Sequence, residues 1–330
     1  MNSFLMKPII PCLLLFFFGS IGYGQEELVI TASRWCNPLF DEFADFSFSP
    51  DGKYVAFGQE DGKVRVVDIE AKSEVFGQVV HKKQSVTVRF SPDGKHMVSC
   101  GKDGRLYVFD VEKDFRQVKS LQVSEKAIRA IEFSPEGDRL YAGGNDEILW
   151  VLDFPALEIT ESFNLRKGNI HSIVLQLDKD LIWVGTSRVL GGLIVVDAKS
   201  GTVKRDFMAT NVIDLDLSSD GMYVLAVSFD RVLFRVNTTS FSMDTRKKFH
   251  SKATNNLRVL PNTAIFATTS NDKTVRFSNV NTLEQQHSIP LPKGVMNLGF
   301  SSNQQWMAIA LSNGYILIYN IAELPFNKKD

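Results

Sequence analysis

The chain has 330 residues, of which 44% are hydrophobic and 23% charged, with 37 Lys and Arg against 38 Asp and Glu. This is the composition of a globular protein with a large core. It lacks the basic excess or stripe through which nucleic-acid binding shows itself, so no nucleic-acid partner is expected. Length alone suggests about two domains, although all-β architectures run longer as one unit.

In chain order, the first feature is Lys7 followed by the apolar run "IIPCLLLFFFGSIGY" (9–23) and then "GQEE". One positive charge, a short apolar stretch and the small residues Gly22 and Gly24 predict a secretory signal peptide over 1–24. The run falls short of the roughly 20 apolar residues that a membrane span needs. Cleavage after Gly24 leaves 36 basic against 38 acidic side chains in 25–330, a net charge of −2. Cys12 lies inside the apolar run, which speaks against a lipid-modified cysteine. No later segment is apolar enough to span a membrane, so the expectation is an exported protein, periplasmic or secreted, without a span after signal removal. Cys36 and Cys100 remain, far fewer than disulfide-stapled scaffolds use. Whether they pair is left open by the sequence. Cys100 takes the place held in other repeats by Gly143, Gly185 or Ala310, which predicts a small buried side chain at a strand end.

Next comes an alternating segment of strand length, "ELVITASR" (27–34), and then "FSPDGKYVAFGQEDGKVRVVD" (48–68). The second stretch recurs. "VRFSPDGKHMVSC" (88–100) and "IEFSPEGDRLYAGG" (131–144) repeat it closely, and segments near 174, 215, 257 and 298 do so more loosely. The anchoring apolar residues are Phe48, Phe90, Phe133, Leu175, Leu217, Leu260 and Phe300, at spacings of 42, 43, 42, 42, 43 and 40. A period near 42 with several short strands per unit predicts a propeller. Each unit reads as a strand, an SPDG turn, a second strand, a DG turn, a third strand and a more polar fourth. In SPDG the proline presets φ for a type I turn and the glycine accepts a backbone conformation that most residues resist. The alternating apolar runs on either side have strand length. A second spacing supports the same unit: a turn residue stands seven before the residue ending the third strand, as in Asp61/Asp68, Asp103/Asp110, Asp146/Asp153 and Asp230/Asn237. The fourth unit departs, with Gly191-Gly192 in place of the DG turn.

These residues resemble WD-repeats, whose units show a Gly-His pair, FSPDG, an SxDG turn and a terminal Trp-Asp. The resemblance covers about 41–321. It departs in that no unit ends in Trp-Asp; Val67-Asp68, Phe109-Asp110, Leu152-Asp153 and Val196-Asp197 stand there instead. Only His81, nine residues before Phe90, sits where the family places its histidine, so the family's buried Asp–His–Ser/Thr–Trp network is expected to be absent or fragmentary. TolB-like and lactonase-like propellers share the SPDG turn and remain alternatives. The expected fold is all-β: a seven-bladed β-propeller of four-stranded antiparallel blades. The seventh unit ends before a fourth strand, so 27–34 is expected to complete it and close the ring, because closure leaves only short, protected edges. Residues 25–330 then form one domain with a short tail at 322–330.

Few residues form a pattern that points to chemistry. Asp61, Asp68, His81, Asp103, Asp110, Asp146 and Asp153 read as structural turn and strand-end residues. The acidic turns lack the converging oxygen ligands of a calcium loop, and no histidine pair has ligand spacing, so neither a metal nor a cofactor is expected. No nucleophile elbow, phosphate loop or dinucleotide fingerprint occurs. Trp150 and Trp183 read as packing residues, and Asn237 in the only glycosylation sequon as a strand end. Residues six before each anchor, Glu42, Gln84, Ala127, Asn169, Asn211, Thr254 and Gly294, are expected to ring the upper opening of the channel. Glu42, Gln84, Asn169, Asn211 and Thr254 are the binding candidates. The expected function is a non-enzymatic, monomeric scaffold for protein or peptide partners, as the resemblance implies. The alternative is an exported propeller enzyme, lactonase-like or quinoprotein-like, with its site at the channel mouth.

Overall fold

The computed structural model describes residues 28–31, 45–187, 192–207 and 211–324. They form seven four-stranded antiparallel sheets, six of them with neighbouring strands in sequence order. Blade 1 runs from Phe46 to Val79, blade 2 from Ser85 to Gln122 and blade 3 from Ile128 to Asn164. Blades 4, 5 and 6 run from Asn169 to Asp206, from Val212 to Lys248 and from Thr254 to Pro290. Blade 7 takes three strands from Val295 to Asn320 and its fourth from the other end of the chain. There Leu28–Thr31 pairs antiparallel with the strand Tyr315–Asn320, Leu28 opposite Ile318 and Thr31 opposite Tyr315. The first strands of successive blades touch all round the ring, blade 7 against blade 1 included, so these are the inner strands. Apart from three single turns of 3-10 helix, the described residues are strands and turns. The predicted signal peptide, Trp35, Cys36, Glu42 and Gly191 lie outside the described residues.

The turn chemistry read from the sequence is at work in the blades. In blade 1 the Ser49 hydroxyl donates to Asp51 at 2.5 Å and accepts from Tyr54 N at 2.8 Å, while Gly52 sits at φ +75°. Ser91, Asp93 and Gly94 repeat this in blade 2, and Ser218, Asp220 and Gly221 in blade 5. In the second hairpin turns, a Cβ on Gly62 or Gly104 would collide with the carbonyl of His81 or Ser124, so glycine is required there for space as well as for its positive φ. The side chain of the residue ending a third strand caps the next turn in several blades: Asp68 accepts from Ala71 N at 2.9 Å and Asp110 from Lys113 N at 3.2 Å. Asn237 in the sequon does the same for Thr239 N and Ser240 N. Asp153 is exposed, and its carbonyl accepts from Leu157 N at 2.8 Å.

The core lies between adjacent blades. Val55, Phe57 and Phe48 of blade 1 pack on Ile316 and Ile318 of blade 7. Trp183 of blade 4 is wholly buried against Leu215 and Phe234 of blade 5, its indole N–H on Gln176 at 3.1 Å. Each such side chain contributes about 1.5–3 kcal/mol by leaving water. Cys100 is fully buried opposite Thr87, as Gly143 is opposite Ala130, and burial pushes its thiol up to about 12.

Blade 6 corrects the sequence reading. Val259, not Leu260, ends the inner strand: Val259 pairs with Phe266 as Leu217 pairs with Val224. Leu260 N donates to Ile265 O, the bond made by Ser91, Ser134 and Ser218 in other blades. The anchor therefore shifts by one residue, because Leu260 is an apolar residue at the position of the turn serine.

Candidate binding site at the channel and its upper rim

The inner strands start at the upper face, where the chain returns from each outer strand, and end at the lower face in the SPDG-type turns. At the upper rim one bond repeats. The residue after the second strand donates its N–H to the carbonyl of the residue before the inner strand: Lys102 to Gln84, Asn145 to Ala127, Phe229 to Asn211, Asn271 to Ala253 and Ser312 to Gly294, at 2.8–3.1 Å. Ala253 is thus the rim residue of blade 6. Thr254, expected there, is the first ladder residue opposite Ser270 and only 2% exposed. Gln84 is also corrected: it lies on the rim, but its side chain is 5% exposed and turned away from solvent. Asn169 is half-buried at the start of its strand, and Asn211 is exposed at φ +43°. Glu42 lies outside the described residues.

Beneath the rim, the structure assembles a cluster that the sequence reading missed. The position before each anchor faces the channel and supplies Arg89, Glu132, Asp216 and Arg258; two residues earlier stand Asp45, Ser172, Asp214, Asn256 and Asn297. Arg89 reaches Asp45 at 2.5 Å and Glu132 at 3.4 Å. Arg258 reaches Asp45 at 3.5 Å and also pairs with Asp214. Asp214 further accepts from Ser172 Oγ at 3.0 Å, Asn256 Nδ2 at 2.5 Å and Leu257 N at 3.1 Å. Asn297 Nδ2 donates to Asp45 at 3.0 Å, fastening blade 7 to the start of blade 1. Below this layer an opening of about 430 Å³ is lined by Arg89, Glu132, Ser172, Asp216 and Arg258 among others.

The four carboxylates differ in their environments. Burial opposes the charge of Asp45, but Arg89 and Arg258 outweigh it and hold the carboxyl below its usual range. Burial dominates for Glu132 and Asp214 and raises both. It pushes Asp216 up to about 6, against the pull of Arg258 and the N–H groups of Val259 and Leu217, each at 2.8 Å. The signal for the cluster was present in the sequence, as charged residues immediately before the anchors in "VRFSP", "IEFSP", "LDLSS" and "LRVLP".

The histidine network is fragmentary, as expected: its Asp–His–Ser/Thr part forms in two blades, without the tryptophan, and the one in blade 6 was not foreseen. In blade 2, His81 is 2% exposed, with Nδ1 2.9 Å from Asp103 and Nε2 2.8 Å from Ser99 Oγ. Tyr107 meets the imidazole edge-on at 4.7 Å. In blade 6, His250 is 5% exposed, with Nδ1 3.0 Å from Asp272 and Nε2 2.9 Å from Thr268 Oγ1. His250 stands nine residues before Val259, so the misplaced anchor had hidden it. Burial keeps His250 below its usual range despite Asp272, while Asp103 and Asp272, both opposed by burial, are lowered by their hydrogen bonds to histidine and neighbouring groups. In blade 3, Asp146 accepts from the indole of Trp150 at 2.9 Å, tying the turn to the third strand. Asp61 accepts from Lys63 N at 3.0 Å within its own turn. Among the described residues, no group of three or more His, Cys, Asp or Glu could hold a metal ion.

A family model described as WD domain, G-beta repeat (WD40), matches residues 43–68, 75–110 and 115–153. No curated protein matches the chain. The second and third matched segments each begin on the outer strand of one blade and end on the third strand of the next. The sequence repeat is thus offset from the blade by one strand, which is why the last blade needs a strand from the N-terminus. The protein is a seven-bladed β-propeller, and three of its repeat units match the WD40 family model.

Proposed function

We propose that the protein is an exported, non-enzymatic scaffold that binds a protein or peptide partner on the upper face of its ring. The observation that carries this reading is the rim. A backbone bond repeated in five blades fixes the frame, while the residue that donates it varies through Lys102, Asn145, Phe229, Asn271 and Ser312. A constant frame with varied tips suits recognition of a partner surface. The Arg side chains of the channel are engaged by carboxylates, which suits a rigid hub. Export rests on the predicted signal peptide, and a mature N-terminus at Gln25 in protein isolated from the periplasm or medium tests it. The binding reading is tested by affinity capture from the native compartment. A partner captured by the wild type and by lower-face Lys95→Glu, yet lost with Asn169→Arg plus Asn313→Arg, supports it; identical recovery with all three refutes the upper-face site.

One observation favours the second reading, an exported propeller enzyme. Asp216, raised to about 6, lines the lower opening and has the proton affinity of a general base near neutral pH. A hydrolase activity in the purified protein that Asp216→Asn abolishes would replace the scaffold reading.

A further inference from the structure

The formal charge of the chain is nearly balanced, but the ring sorts it. On the lower face, the first hairpin turns of blades 1 to 5 each expose an acid: Asp51, Asp93, Glu136, Asp178 and Asp220. Lys53, Lys95, Arg139 and Lys179 are exposed beside four of them, and Glu70, Glu112 and Asp138 at the same end leave an acidic excess. The upper face over blades 5, 6 and 7 carries the opposite sign. Arg231, Lys252, Lys273 and Lys293 lie there, the three lysines exposed and Arg231 half-buried. Backbone-anchored bonds place these cations along one arc. Arg231 Nη1 donates to Ser251 O at 2.8 Å, beside Lys252. Ser270 Oγ donates to Ala253 O at 2.8 Å and sits next to Lys252 O at 3.3 Å, joining Lys252 to the turn that holds Lys273. Leu291 N donates to Lys273 O at 2.8 Å, two residues before Lys293.

Two acids share these turns, and both are used within them. Asp272 has a side chain 5% exposed and is taken up by His250, Ser251 N at 3.0 Å and Thr274 Oγ1 at 2.7 Å. Asp230 is exposed and accepts the hydroxyl of Ser228. At the end of the arc stands Phe229, 62% exposed, at the position where blades 2, 3, 6 and 7 carry Lys102, Asn145, Asn271 and Ser312. Its backbone is fixed by the bond to Asn211 O at 3.1 Å, so the ring is presented to solvent from a rigid point.

We propose that this arc is the docking surface for an acidic peptide segment that carries an apolar side chain: carboxylates pair with Arg231, Lys252, Lys273 and Lys293, and the apolar group covers Phe229. The inference rests on the scaffold reading and names its partner class. Charge complementarity selects the occupant, since the acidic lower face repels the same segment and turns the ring toward it upper face first. An aromatic anchor among cations supplies the desolvated contact that charge alone lacks.

The test is fluorescence anisotropy of labelled synthetic 12-residue peptides with the purified protein. The peptides are a Glu/Asp-rich peptide with a central Leu, the same peptide with Gly for Leu, and a Lys-rich counterpart with Leu. The Leu-bearing acidic peptide is expected to bind, to lose about tenfold in affinity on the Leu-to-Gly change, and to weaken steeply with salt; the Lys-rich peptide is expected not to bind. Lys252→Glu plus Lys273→Glu should weaken binding by at least about tenfold, with Lys293→Glu alone and Phe229→Ser each giving about threefold to tenfold. Lys95→Glu on the lower face should change nothing. All of these are surface changes, and unaltered thermal unfolding confirms folding. No binding of the acidic peptide, or binding indifferent to the arc variants, overturns the proposal. So does binding to vesicles containing phosphatidylserine without binding to the peptide, which makes the arc a lipid contact. If affinity capture yields a partner lost with the rim variants while the acidic peptides fail, the scaffold reading stands and this inference falls.

Discussion

Blades 2 and 6 are not neighbours in the ring, yet they are built alike in two respects. Each buries a histidine between a turn aspartate and a second-strand hydroxyl, His81–Asp103–Ser99 and His250–Asp272–Thr268. Each also sends the arginine before its anchor into the channel, where Arg89 and Arg258 share Asp45. Their surface sequences differ: blade 2 keeps SPDG, whereas blade 6 has "LPNT". A degenerate turn is therefore compatible with an intact internal network. The turn needs only a suitable backbone, which Asn262 supplies at φ +56°, while the network needs specific donors and acceptors. The arginines differ in their company. Arg89 pairs with Asp45 and a Glu132 that is 36% exposed, but Arg258 faces Asp45, Asp214 and Asp216.

That difference sets the largest expected effect. Arg258→Met leaves Asp214 and Asp216 without their cation, Asp45 keeping Arg89, and should cost about 3–5 kcal/mol at neutral pH. Arg89→Met should cost less, because Arg258 still serves Asp45. Urea unfolding of both variants measures the contrast, and equal losses would break it. The loss in Arg258→Met should also shrink toward pH 5, as Asp216, raised to about 6 by burial, takes up a proton.

The likeness of the two histidine networks is tested next. His81→Ala and His250→Ala should each cost about 3 kcal/mol, through lost bonds and buried groups left unsatisfied. The effects should add in the double variant, since the two sites share no partner. A His250→Ala loss below half that of His81→Ala would mean that blade 6 keeps the geometry without the energetic role.

Asp216→Asn should act in the opposite direction. The Asp216 carboxyl is raised from 3.8 to about 6, so folding takes up a proton within that window and stability falls as pH rises through it. The cost is fully present above the folded value and absent below the unfolded one. Replacement by Asn should therefore stabilise the protein by about 3 kcal/mol at pH 7.5. The gain should vanish by about pH 4 in thermal unfolding; a gain independent of pH would assign it to packing instead. Smallest of all, Thr268→Val keeps the shape but removes the hydroxyl that donates to His250 Nε2 and should cost about 1–2 kcal/mol, close to Ser99→Ala in blade 2.

Much of the fold was legible because its signals are local. The Ser49–Asp51–Gly52 turn needs only four adjacent residues, and the alternation in "YVAFG" needs only five. Counting these units gave seven blades, and the missing fourth strand of the last unit pointed to 27–34, of which Leu28–Thr31 pairs as expected. The site was less legible. Rim positions were obtained by counting back from an anchor, so taking Leu260 for Val259 moved the rim residue from Ala253 to Thr254 and concealed His250. Sequence position alone does not show that Gln84 is buried.

By itself, the sequence determined the repeat, the hairpin turns and the number of blades, because those depend on φ preferences, side-chain caps and apolar alternation over a few residues. The tertiary structure alone decided which charges meet. Arg89 and Asp45 belong to adjacent repeats, and Asn297 reaches Asp45 across 252 positions. Only closure of the ring brings such residues within hydrogen-bonding distance. Closure likewise separates a nearly neutral chain into an acid-lined lower face and a basic arc above blades 5 to 7, because every inner strand runs in the same direction through the ring.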